Sequence, residues 1–93
     1  MEEEDKFKPI LENEKVRILR INIKPGEKTK MHAHPYQHVV CCLSDQKLKF
    51  TTSEGEKKVD ISFGQVLYFQ PTTHVVENIG ETEANSIVIE LKK

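Results

Sequence analysis

Met31-His32-Ala33-His34-Pro35-Tyr36-Gln37-His38-Val39-Val40-Cys41-Cys42 places three of the chain's four histidines within seven residues and then runs into a β-branched stretch. In an extended segment side chains alternate faces, so His32 and His34 project the same way and two imidazoles can meet one ion without special backbone geometry. His38 keeps that parity. A straight strand rises about 3.3 Å per residue, which would leave His38 about 13 Å from His34, far beyond a metal–nitrogen bond of about 2.1 Å. The chain must bend between them, and Pro35, with its fixed φ and missing donor, suits an edge, bulge or turn. The spacing of His34 and His38 would also fit a helical zinc motif, but no Glu follows His34, and Val39-Val40 favours a strand. The stretch reads as two strands about a bend with a metal site on one face. The competing reading is a set of surface histidines on a hairpin.

Outward from this stretch the chain reads as short strands separated by turn signals. Val16 to Ile23 mixes β-branched and polar residues in rough alternation, with a phase slip at Ile18-Leu19 that predicts a bulge. Pro25-Gly26 occupies the second and third positions of a type II turn, and Lys28 to His34 follows as a strand. Gln37 to Leu43, Leu48 to Thr51, Lys57 to Ile61, Val66 to Phe69, His74 to Asn78 and Ser86 to Leu91 complete the pass. The turns fall at Ser44-Asp45-Gln46, Ser53 to Glu56, Phe63-Gly64, Pro71 to Thr73 and Gly80-Glu81. Seven or eight short strands without a helical apolar period predict an all-β, antiparallel sandwich or barrel.

At 93 residues the chain makes one domain with a modest core. Residues 1–8 are predicted to be a charged tail and residues 9–93 the domain. A hydrophobic content of 37% beside 31% charged residues is that of a folded globule, not a disordered chain. No apolar run approaches the roughly 20 residues of a membrane helix, and the opening Met1-Glu2-Glu3-Glu4-Asp5 is acidic where a secretory signal is basic and then apolar. A cytoplasmic protein without a membrane partner is expected. The net charge of −1, with Lys and Glu interspersed, offers no basic stripe to a phosphate backbone, so nucleic acid is not expected as a partner. Adjacent Cys41 and Cys42 have Cα atoms about 3.8 Å apart, too close for an ordinary disulfide, and are read as reduced thiols. Cys42 shares the parity of His38 and could line the same cavity, although a buried free cysteine more often simply fills a core.

The residues resemble a known family, the cupins, over nearly the whole chain. Its first motif runs Gly, five residues, His-x-His, three or four residues, Glu, six residues, Gly. Here the same spacing gives Gly26, His32-Ala33-His34, His38 and Asp45, with His38 in place of the glutamate and Asp45, which tolerates left-handed geometry, in place of the closing glycine. Of the second motif, Gly64 and the pair His74 and Asn78 fit; Gln70 and Thr72 replace its Pro and Gly, and His74 comes one residue early. The resemblance implies a small jelly-roll barrel with His32, His34, His38 and His74 converging on one divalent transition metal, as in small bacterial cupins with four histidines. It also implies a homodimer paired through its sheets, which the small core and exposed strand edges favour independently.

Four neutral imidazoles would leave a divalent ion its full charge and favour an anionic ligand. On six-coordinate Mn, Fe, Co or Ni they leave two positions for substrate or oxygen, whereas tetrahedral Zn would be closed; Cu or Ni would dominate a purified sample by affinity. Tyr68 and Gln70 share a parity and approach His74 through the turn, so either could orient a ligand, or simply pack or face solvent. No histidine is left over for a hydrolase triad, and Glu77 points away from His74 by alternation. Three functions are compatible: an oxygenase- or isomerase-type enzyme acting on a small anionic or enolisable metabolite, a metal-anchored small-molecule sensor or carrier, and a barrel that the metal merely stabilises.

Overall fold

The structure, a computed structural model, describes residues 7–92 apart from the side chain of His34. Nine strands form among them: β1 Phe7–Glu12, β2 Val16–Ile23, β3 His32–His34, β4 His38–Cys42, β5 Gln46–Thr52, β6 Gly55–Ile61, β7 Val66–Phe69, β8 Thr72–Asn78 and β9 Ala84–Leu91. The described residues include no helix, and so none long and apolar enough to cross a membrane. An antiparallel sheet of order β1-β2-β9-β4-β7 packs against one of order β3-β8-β5-β6, the small double-layered barrel that the strand count and turn spacing predict.

Cross-strand pairing stacks the inner face of the larger sheet in tiers, each about 6.7 Å from the next because inward residues recur every second position. The first tier is Arg17, Glu90, His38 and Phe69; the second is Leu19, Val88, Val40 and Leu67. Ile21, Ser86 and Cys42 form the third, and Ile23 and Ala84 the fourth. Opposite them the smaller sheet contributes His32 and His74 in one register pair, then Phe50 with Val76, then Leu48 with Asn78. Apolar burial is densest at the lower tiers, where Ile23, Cys42, Leu48, Ile61, Val76 and Ala84 form one cluster.

Several expectations need correction. The pairing of β2 with β9 is uninterrupted, so the bulge expected at Ile18-Leu19 is not in β2; it lies directly opposite those residues in β1, between Pro9 and Leu11, where Ile10 is left over. β1 takes in Phe7 and Lys8, which the sequence assigns to the tail, and residues 1–6 lie outside the described ones. The strand expected from Lys28 shrinks to His32–His34, preceded by an isolated bridge from Lys28 to Glu77. Thr72 and Thr73, expected in a turn, belong to β8. Asp45 does not adopt left-handed geometry, since no described non-glycine residue has a positive φ. Its carboxylate instead accepts the Phe63 N–H at 2.8 Å. The Pro25-Gly26 turn forms as expected, with Gly26 at φ 83° and Glu27 N–H donating to Lys24 O at 3.0 Å.

Candidate metal centre

Each of three histidines is set by a different local device. His32 is directly opposite His74 in the β3–β8 ladder, and their ring centroids are 4.7 Å apart. Thr29 latches the approach to β3: its N–H donates to Val76 O at 2.9 Å, and its Oγ1 accepts the Val76 N–H at 3.1 Å. His38 opens β4 after the Pro35–Gln37 bend, is 1% exposed, and faces inward beside Glu90 and Phe69. The bend thus turns His38 from the smaller sheet, which carries His32 and His34, into the larger one.

The tautomers follow from the backbone. His32 Nδ1 lies 2.9 Å from Lys30 O and His38 Nδ1 lies 3.0 Å from Tyr36 O. A carbonyl oxygen only accepts, so in both rings Nδ1 carries the hydrogen and Nε2 the lone pair. An imidazole oriented in this way is prepared to ligate a metal through Nε2.

His32, His38 and His74 line one cavity of about 60 Å³ that continues down between the sheets to Cys42, Gln46 and Ser86. Three of the four phenylalanines pack against them, one to each ring. Phe7 meets His32 edge-on at 5.0 Å, Phe69 stacks on His38 at 5.3 Å, and Phe50 lies 5.6 Å from His74. This apolar collar sets hydrocarbon against one side of each imidazole and lowers the local dielectric there.

The described side chains do not by themselves form a group of three or more His, Cys, Asp and Glu able to hold a metal ion. They bring His32 and His74 into contact and His38 onto the same cavity; of His34, the backbone position in β3 opposite Thr72 is described. Cys42 lines the cavity as its parity predicts, in the third tier, and is a free thiol, as is Cys41. Burial pushes its pKa up, against a bond with Ser86 that lowers it. Tyr68 and Gln70 do not line this cavity. Tyr68 pairs with Val39 on the outer face and is 54% exposed, because the inward residue of β7 at that end is Phe69. Gln70 is exposed and accepts a hydrogen bond from Gln37 at 3.3 Å. Glu77 pairs with Lys49 at 3.4 Å on the outside of the smaller sheet, away from His74.

One residue escapes the sequence reading. Glu90, 2% exposed, stands directly opposite His38 across β9 and β4, and its Oε1 accepts from Arg17 Nη1 at 3.2 Å. The signal was the inward parity of Ala84, Ser86, Val88 and Glu90, masked because a Glu near the end of a chain reads as solvated. The histidine end is therefore not made of neutral imidazoles alone; it carries a carboxylate and a guanidinium that offset each other.

Comparisons with known proteins agree with this architecture. A family model described as a cupin domain matches residues 19–90. The crystal structure of a cupin domain from Bordetella pertussis superposes with a TM-score of 0.88 at 26% identity, covering 94% of this chain and 92% of that one. An RmlC-like cupin family protein with a double-stranded β-helix fold from Methanocaldococcus jannaschii gives a TM-score of 0.77 at 14% identity, over 99% of this chain and 86% of that one. An uncharacterised conserved protein with a double-stranded β-helix domain from Klebsiella pneumoniae gives 0.74 at 16%, over 98% and 76%. No curated protein matches the sequence. The two facing sheets, the motif spacing from Gly26 to Asp45 and the family match over residues 19–90 together establish that this chain belongs to the cupin family.

Proposed function

We propose that this cupin holds one divalent transition ion on His32, His34, His38 and His74 and acts there on a small anionic or enolisable metabolite, in oxygenase- or isomerase-type chemistry. The observation that carries the reading is the pairing of His32 with His74 at 4.7 Å, above a cavity that His38 also lines. The backbone carbonyls of Lys30 and Tyr36 fix two rings with their Nε2 lone pairs as the ligating positions, which fits a borderline metal such as Mn, Fe, Co, Ni, Cu or Zn. When bound, such an ion supplies a Lewis acid and a point of attachment for anionic oxygen. The chain's own contributions are orientation of the imidazoles, an apolar packing of Phe7, Phe50 and Phe69 against them, and a buried carboxylate at Glu90 whose charge Arg17 offsets. With that pair neutral overall, an ion keeps its attraction for anions.

The test is turnover of a panel of small carboxylates and dicarbonyl compounds by protein reconstituted with each metal in turn. Metal-dependent oxygen uptake or isomerisation supports the enzyme. Tight, metal-dependent binding without turnover favours the sensor or carrier, and a metal that raises the melting temperature while no compound binds favours the stabilised barrel.

A homodimer belongs to the same reading. Leu11, Ile18, Ile89, Val39 and Tyr68 form one apolar row across the outer face of the larger sheet; the next row carries Ile87, Cys41 and Val66 beside the charged Arg20 and Lys8. Five strands about 4.8 Å apart, over about five residues each, make a face of roughly 400 Å² before side-chain relief, which moves it toward the roughly 800 Å² per partner of a standard interface. A second copy of this self-complementary face is the occupant we assign. The adjacent free thiols Cys41 and Cys42 support a cytoplasmic setting.

A further inference from the structure

We infer that the ligand of this site has a single polar head and a short, branched apolar body: a monocarboxylate of a few carbons without a second polar group. This rests on the metal-site reading above and narrows its substrate class. Beneath the histidine tier the cavity wall is hydrocarbon: Val40, Val88 and Leu67 from the larger sheet, Phe50 and Val76 from the smaller. A hydroxyl buried there would give up its water for no partner, which disfavours sugars and polyols.

The polar groups further down are already committed to one another. Gln46 Nε2 donates to Asn85 O at 2.8 Å and to Ser86 Oγ at 3.0 Å, and burial holds the Cys42 thiol in its neutral form. The floor therefore offers no charge or donor pair to a second anionic end, which disfavours diacids that would span the cavity. Its volume of about 60 Å³, the space beside the three histidines included, limits the body to a few carbons. A groove of about 490 Å³ along the seam between β7 and β5–β6 shares Phe50, Leu67, Phe69 and His74 with the cavity and gives the ligand its way in.

The test uses the whole protein loaded with cobalt(II), titrated with acetate, isobutyrate, glycerate and inorganic phosphate by calorimetry and by the visible spectrum of the ion. Isobutyrate should bind about tenfold more tightly than acetate, the gain expected from burying two further carbons, and glycerate and phosphate no more tightly than acetate. Val88→Phe, which fills the cavity from β9, should abolish the isobutyrate advantage while cobalt uptake stays at the wild-type stoichiometry. If that variant does not fold, Val88→Ala serves in its place: the enlarged cavity should shift the preference to 3-methylbutyrate. Equal affinity for acetate and isobutyrate in cobalt-loaded wild type, or tightest binding of phosphate or glycerate, overturns the inference and leaves the metal site standing. Failure of wild type to take up cobalt overturns the metal-site reading itself, and the inference with it.

Discussion

Glu90 and His38 face each other at the first tier, and that pair shows what a single position can hide. Removing the carboxylate charge while keeping its shape, in Glu90→Gln, should weaken cobalt binding about tenfold, within the range seen for groups that support metal ligands, as a competition titration would measure. Asn78 is 0% exposed; its Nδ2 donates to Ile23 O and Thr82 O, both at 2.8 Å, and its Oδ1 accepts the Gly80 N–H at 2.9 Å. The sequence offered Asn78 as part of a motif beside His74, and its work here is to tie the end of β8 to the end of β2 and to the loop that leads into β9. Asn78→Ala should cost about 1–3 kcal/mol or more in urea denaturation, since it leaves buried carbonyls unpaired. Cys42 should react with an alkylating agent far more slowly than Cys41, because burial favours its neutral form. A thiol whose pKa is raised by folding contributes stability that is intact below its unfolded value and declines as pH climbs from there through the folded one. The Cys42→Ser variant should therefore lose less stability than wild type over that alkaline window.

At the scale of elements, the strands that read most clearly were those whose pattern is local. Val16–Ile23 and Val66–Phe69 match their expected bounds, and the Pro25-Gly26 turn takes the geometry that its two residues dictate. Tertiary pairing, not composition, decided the others. Phe7-Lys8, next to a charged run, joins β1 because β2 offers it an edge, and Tyr68 turns outward because Phe69 occupies the inward position opposite His38. Among the described residues the short β3 pairs with β8 alone, so its position depends on the Thr29 latch. Thr29→Val removes the acceptor of a buried Val76 N–H and should cost about 1–3 kcal/mol. It should also loosen the His32–His74 pair, seen as weaker cobalt binding, whereas an exposed substitution such as Lys28→Gln on the same segment should change neither.

At the scale of the molecule, the two sheets bring His32, His38 and His74, which lie apart in sequence, onto one cavity. The spacing of His32, His34, His38 and His74 made the fold legible as a family resemblance, and the cupin fold is what the structure and the family match show. The collar of Phe7, Phe50 and Phe69 was not legible, because each lies on a different strand and only the closed barrel sets them beside the histidines. The apolar outer face predicts a dimer in sedimentation equilibrium at micromolar concentration, and Ile89→Lys at its centre should shift the mass to that of a monomer. The central claim is the metal centre, and metal analysis of protein purified without a metal-binding tag, coupled to X-ray absorption spectroscopy, tests it most directly. The account predicts close to one equivalent of a divalent transition ion with histidine nitrogen ligands and exchangeable positions, lost on substitution of His32 and His74 by alanine. No bound ion after reconstitution, or an ion retained by that double variant, would contradict it.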